Sequence, residues 1–127
     1  MRVLLDTHAF IWWDREPNRI PLSTLLMMQE SELILSLVSL WEIQIKTHLG
    51  KLNLGMPLNE LIRHHKGNGI HLLPITVEHI LNLDHLPNHH KDPFDRLLIS
   101  QSIVERIPII TQDSMFVHYD CQIFWES

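Results

Sequence analysis

The sequence predicts an α/β fold: one three-layer domain over residues 1–127, with a mostly parallel central sheet of about four or five strands and helices on both faces. Three observations predict it. Short apolar runs alternate along the chain with segments of helical pattern. Helix-start signals, a Ser, Thr or Asp cap or a Pro, stand directly before most of those segments. With 127 residues, 45% of them apolar, there is enough material for one compact core and little for a second.

The elements follow in order. Val3 to Leu5 is a buried strand that stops at Asp6, and residues 7–13 are helical. Pro17 and Pro21 bracket a loop, and Ser23 caps a helix through about Glu30. Leu33 to Leu37 is the second strand. Ser39-Leu40-Trp41-Glu42 fits the capping-box pattern, so a helix starts there and runs to about Leu49, where Gly50 ends it. Pro57 belongs to the first turn of a helix ending near Gly67. His71 to Ile75 is the third strand, and Thr76 caps a helix through about Leu83, with Pro87 beyond its end. Asp92-Pro93 places an acidic cap before a Pro at the first helical position, opening a helix to about Arg106. Ile107 to Thr111 and Gln122 to Trp125 complete the strands.

Composition narrows the class. The 10 Lys and Arg against 15 Asp and Glu give a net charge of −5, which by itself argues against a nucleic-acid partner. The lone Cys121 can form neither an internal disulfide nor a thiolate zinc site, which suits a reducing, cytoplasmic setting. No apolar run approaches the roughly 18 residues of a membrane span, so no membrane role is expected. The stretch MRVLLDTHAFIWWD is interrupted by Asp6 and His8 and reads as a first strand rather than a signal peptide.

In a parallel sheet, ligands bind beyond the carboxyl ends of the strands. Asp6, Glu42 and Asp113 fall at that edge by chain direction alone. Asp92 and Asp95 join them if their helix starts there. Each acid also has a plainer role: Glu42 as the reciprocal acceptor of a capping box, Asp92 as an N-cap, Asp95 as a complement to the helix dipole, Asp6 and Asp113 as loop residues. Together they are harder to explain without a cation. Two unit charges about 4 Å apart cost about 4 kcal/mol at a surface-like dielectric. All-oxygen ligands favour Mg²⁺ or Mn²⁺.

The segments VLLDTHAFIWW, SLVSLWEIQIKTHLGKL, HHKDPFDRLLISQS and PIITQDSMF resemble the PIN-domain family, most nearly the VapC-type toxins of bacterial toxin–antitoxin pairs. The likeness spans nearly the whole chain. It rests on the combination of an Asp after the first strand, a W-E-I helix start, D-P-F-D-R-L-L-I and T-x-D. It implies a PIN-like fold and a Mg²⁺- or Mn²⁺-dependent endoribonuclease, often homodimeric and held inactive by a small antitoxin. By position, Asp6, Glu42 and Asp95 match the family's metal-binding acids and Asp113 the more variable fourth. Asp92 belongs to the D-P-F-D form, as a ligand or as a cap. Thr7 and Thr111 flank the acids and would orient them by hydrogen bonds. The implied reaction is in-line attack by water, oriented by Asp113 or Asp95, leaving a 5′-phosphate.

Lys46, Arg96 and Lys91 are the expected contacts to RNA phosphates, although Lys46 can equally pair with Glu42 four residues earlier, and Arg96 with a neighbouring acid. The His64-His65 and His89-His90 pairs read as surface or RNA-facing groups, because no H-E-x-x-H spacing is present. Trp12, Trp13 and the Leu25 to Met28 run are too apolar for one small domain, so part of these two helices is expected at an interface. A HAD-type phosphatase needs an acid where His8 stands, and a receiver domain needs an acidic pair that is absent. A catalytically silent PIN-fold binding domain and a structure-specific DNase remain the alternatives. Setting the five site acids aside leaves 15 − 5 = 10 acids against 10 bases, so the acidity is concentrated where a cation would sit.

Overall fold

The computed structural model describes residues 1–126; Ser127, the last residue of the expected domain, lies outside them. Five parallel strands, β1 (Arg2–Leu5), β2 (Glu32–Ser36), β3 (His71–Leu73), β4 (Ile109–Ile110) and β5 (Ile123–Phe124), form one sheet in the order β3-β2-β1-β4-β5. Six helices accompany them: α1 (Thr7–Arg15), α2 (Leu22–Gln29), α3 (Leu37–His48), α4 (Leu58–Gly67), α5 (Val77–Leu81) and α6 (Pro93–Glu105). Short 3₁₀ turns cover Pro17–Arg19, Asn82–His85 and Ser114–His118.

Alternation along the central strands sends side chains to two cores. Val3, Leu5, Leu35 and Ile110 pack with Phe10, Met28, Ile43 and Leu61 from α1 to α4. Leu4, Ile34 and Ile109 pack with Leu98, Ile99 and Phe116 on the other face. Both faces of the sheet are therefore covered, as an all-parallel sheet requires.

Several boundaries differ from the sequence reading, each for a local reason. Strand β2 ends one residue early, and Ser36 rather than Ser39 caps α3, its hydroxyl accepting from Val38 N at 3.0 Å. Ser39 is then inside the helix, and Glu42 is a second-turn residue with no capping duty. Helix α2 starts at Leu22 after Pro21, while the hydroxyl of Ser23 turns to the Glu126 carbonyl. Pro57 precedes α4 as its cap residue rather than occupying its first turn. Helix α5 closes after Leu81 into a 3₁₀ turn. Strands β3, β4 and β5 are shorter than their apolar runs, because pairing with a neighbour, not apolarity, sets their length.

The order of strands locates the crevice. From β1 the chain moves outward through β2 and β3, then returns to the other side of β1 for β4 and β5. The switch point lies between β1 and β4, where the amide of Asp6 donates to the Ile110 carbonyl at 3.0 Å. Helix α6 has 13 residues and feeds β4, so it runs about 20 Å back across the sheet and must begin at the carboxyl edge. That topology supplies the placement of Asp92 and Asp95 that chain direction alone could not.

Candidate active site

Asp6 is the N-cap of α1, its Oδ1 accepting from Ala9 N at 2.7 Å, and it is only 4% exposed. The hydroxyl of Thr111, just past the end of β4, lies beside it and favours its ionised form. The hydroxyl oxygen of Thr111 accepts from Asp113 N at 3.0 Å, so this threonine stands between Asp6 and Asp113. Asp113 caps the following 3₁₀ turn with Oδ1 and presents Oδ2 to His90 Nε2 at 2.8 Å. The same Nε2 lies 3.0 Å from Asp95 Oδ2. Asp6, Asp95 and Asp113 line one open cleft with Trp12 and His8.

Glu42 enters from α3, buried at 2% exposure. Its Oε2 pairs with Lys46, and its Oε1 is buried without a hydrogen-bond partner. Thr7 reaches none of the acids: its hydroxyl donates to Ser39 Oγ at 2.9 Å, pinning α1 to the helix that carries Glu42. Thr111 thus stands among the acids, whereas Thr7 acts through the helix packing.

The electrostatics follow from this crowding. Burial pushes the Asp6 carboxyl up to about 6, against the pull of the Thr111 and Ala9 hydrogen bonds. Burial, then the negative charges of Asp92, Asp6 and Glu42, push Asp95 up to about 7, while His90 pulls it down. Acids held this high are short of positive charge. A divalent cation fits the set: the donors are carboxylate oxygens, they crowd one another, and the buried Oε1 of Glu42 lacks a partner.

Asp92 is taken up in capping α6, its Oδ1 accepting from Phe94 N at 2.8 Å and Asp95 N at 3.1 Å. Arg96 has a different task from the one expected. Its guanidinium donates to the carbonyls of Pro87 at 3.0 Å and His90 at 3.4 Å and reaches the Leu83 carbonyl and the Tyr119 hydroxyl. It clamps the loop before α6 and has few donors left for a phosphate. Lys91 is exposed in that loop.

A profile of the PIN domain family matches residues 3–120. The chain belongs to the PIN domain family. This PIN domain is similar to ribonuclease VapC22 of Mycobacterium tuberculosis, with 26% identity over 117 residues, 87% of this chain and 86% of that protein. Its fold is similar to VapBC2 of Rickettsia felis bound to a promoter DNA fragment, with TM-score 0.75 and 15% identity over 99% of this chain and 100% of that one. It is also similar to DNA-bound VapBC of Salmonella typhimurium, with TM-score 0.73 and 12% identity over 98% and 97% of the two chains.

The residue of this PIN domain whose place among the acids sequence reasoning missed is His90, read there as a surface or RNA-facing group. Its Nδ1 accepts from Asp92 N at 3.2 Å, so in the neutral ring Nε2 carries the proton and donates to Asp95 and Asp113. Its ring rests edge-on against Phe116, with centroids 5.8 Å apart, and its own amide donates to the Tyr119 hydroxyl at 2.7 Å. The available signal was its place two residues before an acidic cap, where a ring nitrogen can accept the cap's own N–H. The other histidines divide. His79 is a buried fastener, completing the α5 capping box and pairing with Glu105 at 2.8 Å. His65 pairs with Asp14 at 2.7 Å.

Proposed function

We propose that this PIN domain, spanning residues 1–127, is a Mg²⁺- or Mn²⁺-dependent endoribonuclease of the VapC type, the toxin of a toxin–antitoxin pair. The observation that carries the reading is the convergence of Asp6, Asp95 and Asp113 in one cleft with the unpartnered Oε1 of Glu42 buried beside them. Asp6, Glu42, Asp95 and Asp113 would hold the ion. When bound, it supplies Lewis acidity at a phosphate oxygen and eases the ionisation of a water.

The chain's own groups do the rest. Thr111 holds the backbone of Asp113 and favours the ionised form of Asp6 beside it. The Nε2 proton of His90 holds Oδ2 of both Asp95 and Asp113, which sets the orientation of the two carboxylates toward the cleft. One of these two acids orients the attacking water in line with the leaving oxygen. Lys46, paired with Glu42 at the rim, offers the nearest cation to a flanking phosphate. No 2′-hydroxyl is needed as nucleophile in this scheme.

The likeness to VapBC assemblies supports a small antitoxin as partner, and a homodimer is proposed as the resting form. Among the described residues no helix is long and apolar enough to cross a membrane, and a cytoplasmic setting is proposed with the rest. Trp12, Trp13, Leu25 and Met27 pack against the core, leaving Leu22 and Leu26 exposed on α2 for an interface. The test is cleavage of matched RNA and DNA oligonucleotides by purified protein with Mg²⁺ or Mn²⁺. RNA cleavage abolished by chelation and by Asp6→Asn with Asp95→Asn is expected. Cleavage that survives either treatment refutes the reading, and preference for DNA moves it to the DNase alternative.

A further inference from the structure

Beside the carboxylate cleft lies a second groove of about 470 Å³ whose walls carry the opposite charge. Arg15 at the end of α1, Arg19 in the following turn, Lys46 on α3 and Lys51 just after it all line it. These are four of the chain's 10 Lys and Arg, gathered on one feature of a protein whose net charge is −5. One acid, Glu16, shares the lining and is 3.3 Å from Arg19. The guanidinium of Arg19 also lies over the Trp12 ring at 4.9 Å, which holds it in place while leaving its side chain 56% exposed. Arg15 and Lys51 are exposed and in no ion pair among the described residues.

The groove and the cleft adjoin. His8 and Trp12 line both, and Lys46 on the groove wall pairs with Glu42 of the carboxylate set. Helix α1 links them: Asp6 caps its start in the cleft, and Arg15 at its end stands about 14 Å away along the axis. A polymer with one phosphodiester at the carboxylates has further phosphates on either side, and these must lie on the adjoining surface. The acids line one side of His8 and Trp12, while four Lys and Arg side chains, of which Arg15 and Lys51 are in no ion pair among the described residues, line the other.

We propose that this groove is the track along which a single RNA strand runs out of the carboxylate cleft, its flanking phosphates held by Arg15, Arg19, Lys46 and Lys51. The inference rests on the ribonuclease reading for its choice of polyanion, and its test is a binding measurement that needs no cleavage. A labelled 12-nucleotide single-stranded RNA is titrated in Ca²⁺ against wild type and against Arg15→Ala with Lys51→Ala, across a range of salt. Both residues are exposed and outside the carboxylate set, and unchanged thermal unfolding checks the fold. The double variant should bind about tenfold more weakly, with its log K against log salt slope smaller by about 1.4, or 0.7 per lost cation. In turnover with Mn²⁺, KM should rise by a similar factor with kcat within twofold, and Arg15→Lys should restore most of the loss. If wild type binds RNA and the double variant matches it within twofold, with the same slope, the groove inference fails and the nuclease reading stands. If binding shows the expected losses but no RNA is cut, the groove stands and the nuclease reading fails. If the variant loses only the capture of an acidic protein partner, the groove belongs to that partner and the inference is overturned.

Discussion

Replacing Asp6 by Asn should make the metal-free protein more stable at neutral pH while removing its activity. Asp6 is almost fully buried and its carboxyl is raised from 3.8 to about 6. The folded state therefore holds this proton more tightly than the unfolded chain. The stability this group lends is fully present below about pH 4 and is lost as pH rises through about 6. At pH 8, where the carboxylate must stay ionised in its buried place, the loss amounts to about 3 kcal/mol. Asn carries no charge to desolvate and caps a helix as well as Asp, so the Ala9 N–H keeps its acceptor. Asp6 also raises Asp95, so its removal relieves that acid too. Urea unfolding in EDTA at pH 4, 6 and 8 is the assay. The variant should be near wild type at pH 4 and about 3 kcal/mol more stable at pH 8, roughly 10 °C in Tm. About 100-fold excess of Mn²⁺ over Kd should cancel the difference, since it stabilises only a competent site by about 3 kcal/mol. A variant no more stable than wild type at pH 8 in EDTA, or a difference independent of pH, would refute the reasoning.

Other substitutions probe the supports of the site. His90→Ala should weaken Mn²⁺ binding, read by calorimetry, about tenfold, and His90→Gln, which keeps a donor, should recover part of it. Arg96→Ala removes the clamp on the loop from Leu83 to His90 and should cost about 2 kcal/mol in denaturant unfolding, with faster amide exchange in that loop. Arg106 ends α6 in the left-handed region with φ of 57°, so Arg106→Gly should stabilise the protein by about 1 kcal/mol and leave activity unchanged.

Much of the fold was legible because short buried strands and capped helices leave local marks. Val3 to Leu5 and Asp92-Pro93 needed no tertiary knowledge. Asp6 and Asp113 were legible because each stands just past a strand, where chain direction fixes the edge it faces; Asp92 and Asp95 needed the strand order, and Glu42 lies in the second turn of α3. The capping box at Ser39 misled because two serines three residues apart both suit a cap, and the length of β2 chose between them. The bonding of His90 to Asp95 and Asp113 and of Arg96 to backbone carbonyls was not legible because their partners are brought together by folding. The basic groove was invisible for the same reason: Arg15 and Lys51 belong to elements that only the α1–α3 packing makes neighbours.

The central position of β1 also bears on how the protein is made. The strand finished first pairs on one side with β2 and on the other with β4, which is synthesised about a hundred residues later. Until Ile109 and Ile110 leave the ribosome, Asp6 has a helix to cap but neither Thr111 nor Asp113 beside it. A nascent or truncated chain lacks both the fourth carboxylate and the threonine that holds its backbone, and cannot close the cleft. Under the proposed nuclease reading, the carboxylate set is thus assembled only after β4 and the turn that follows it have been made.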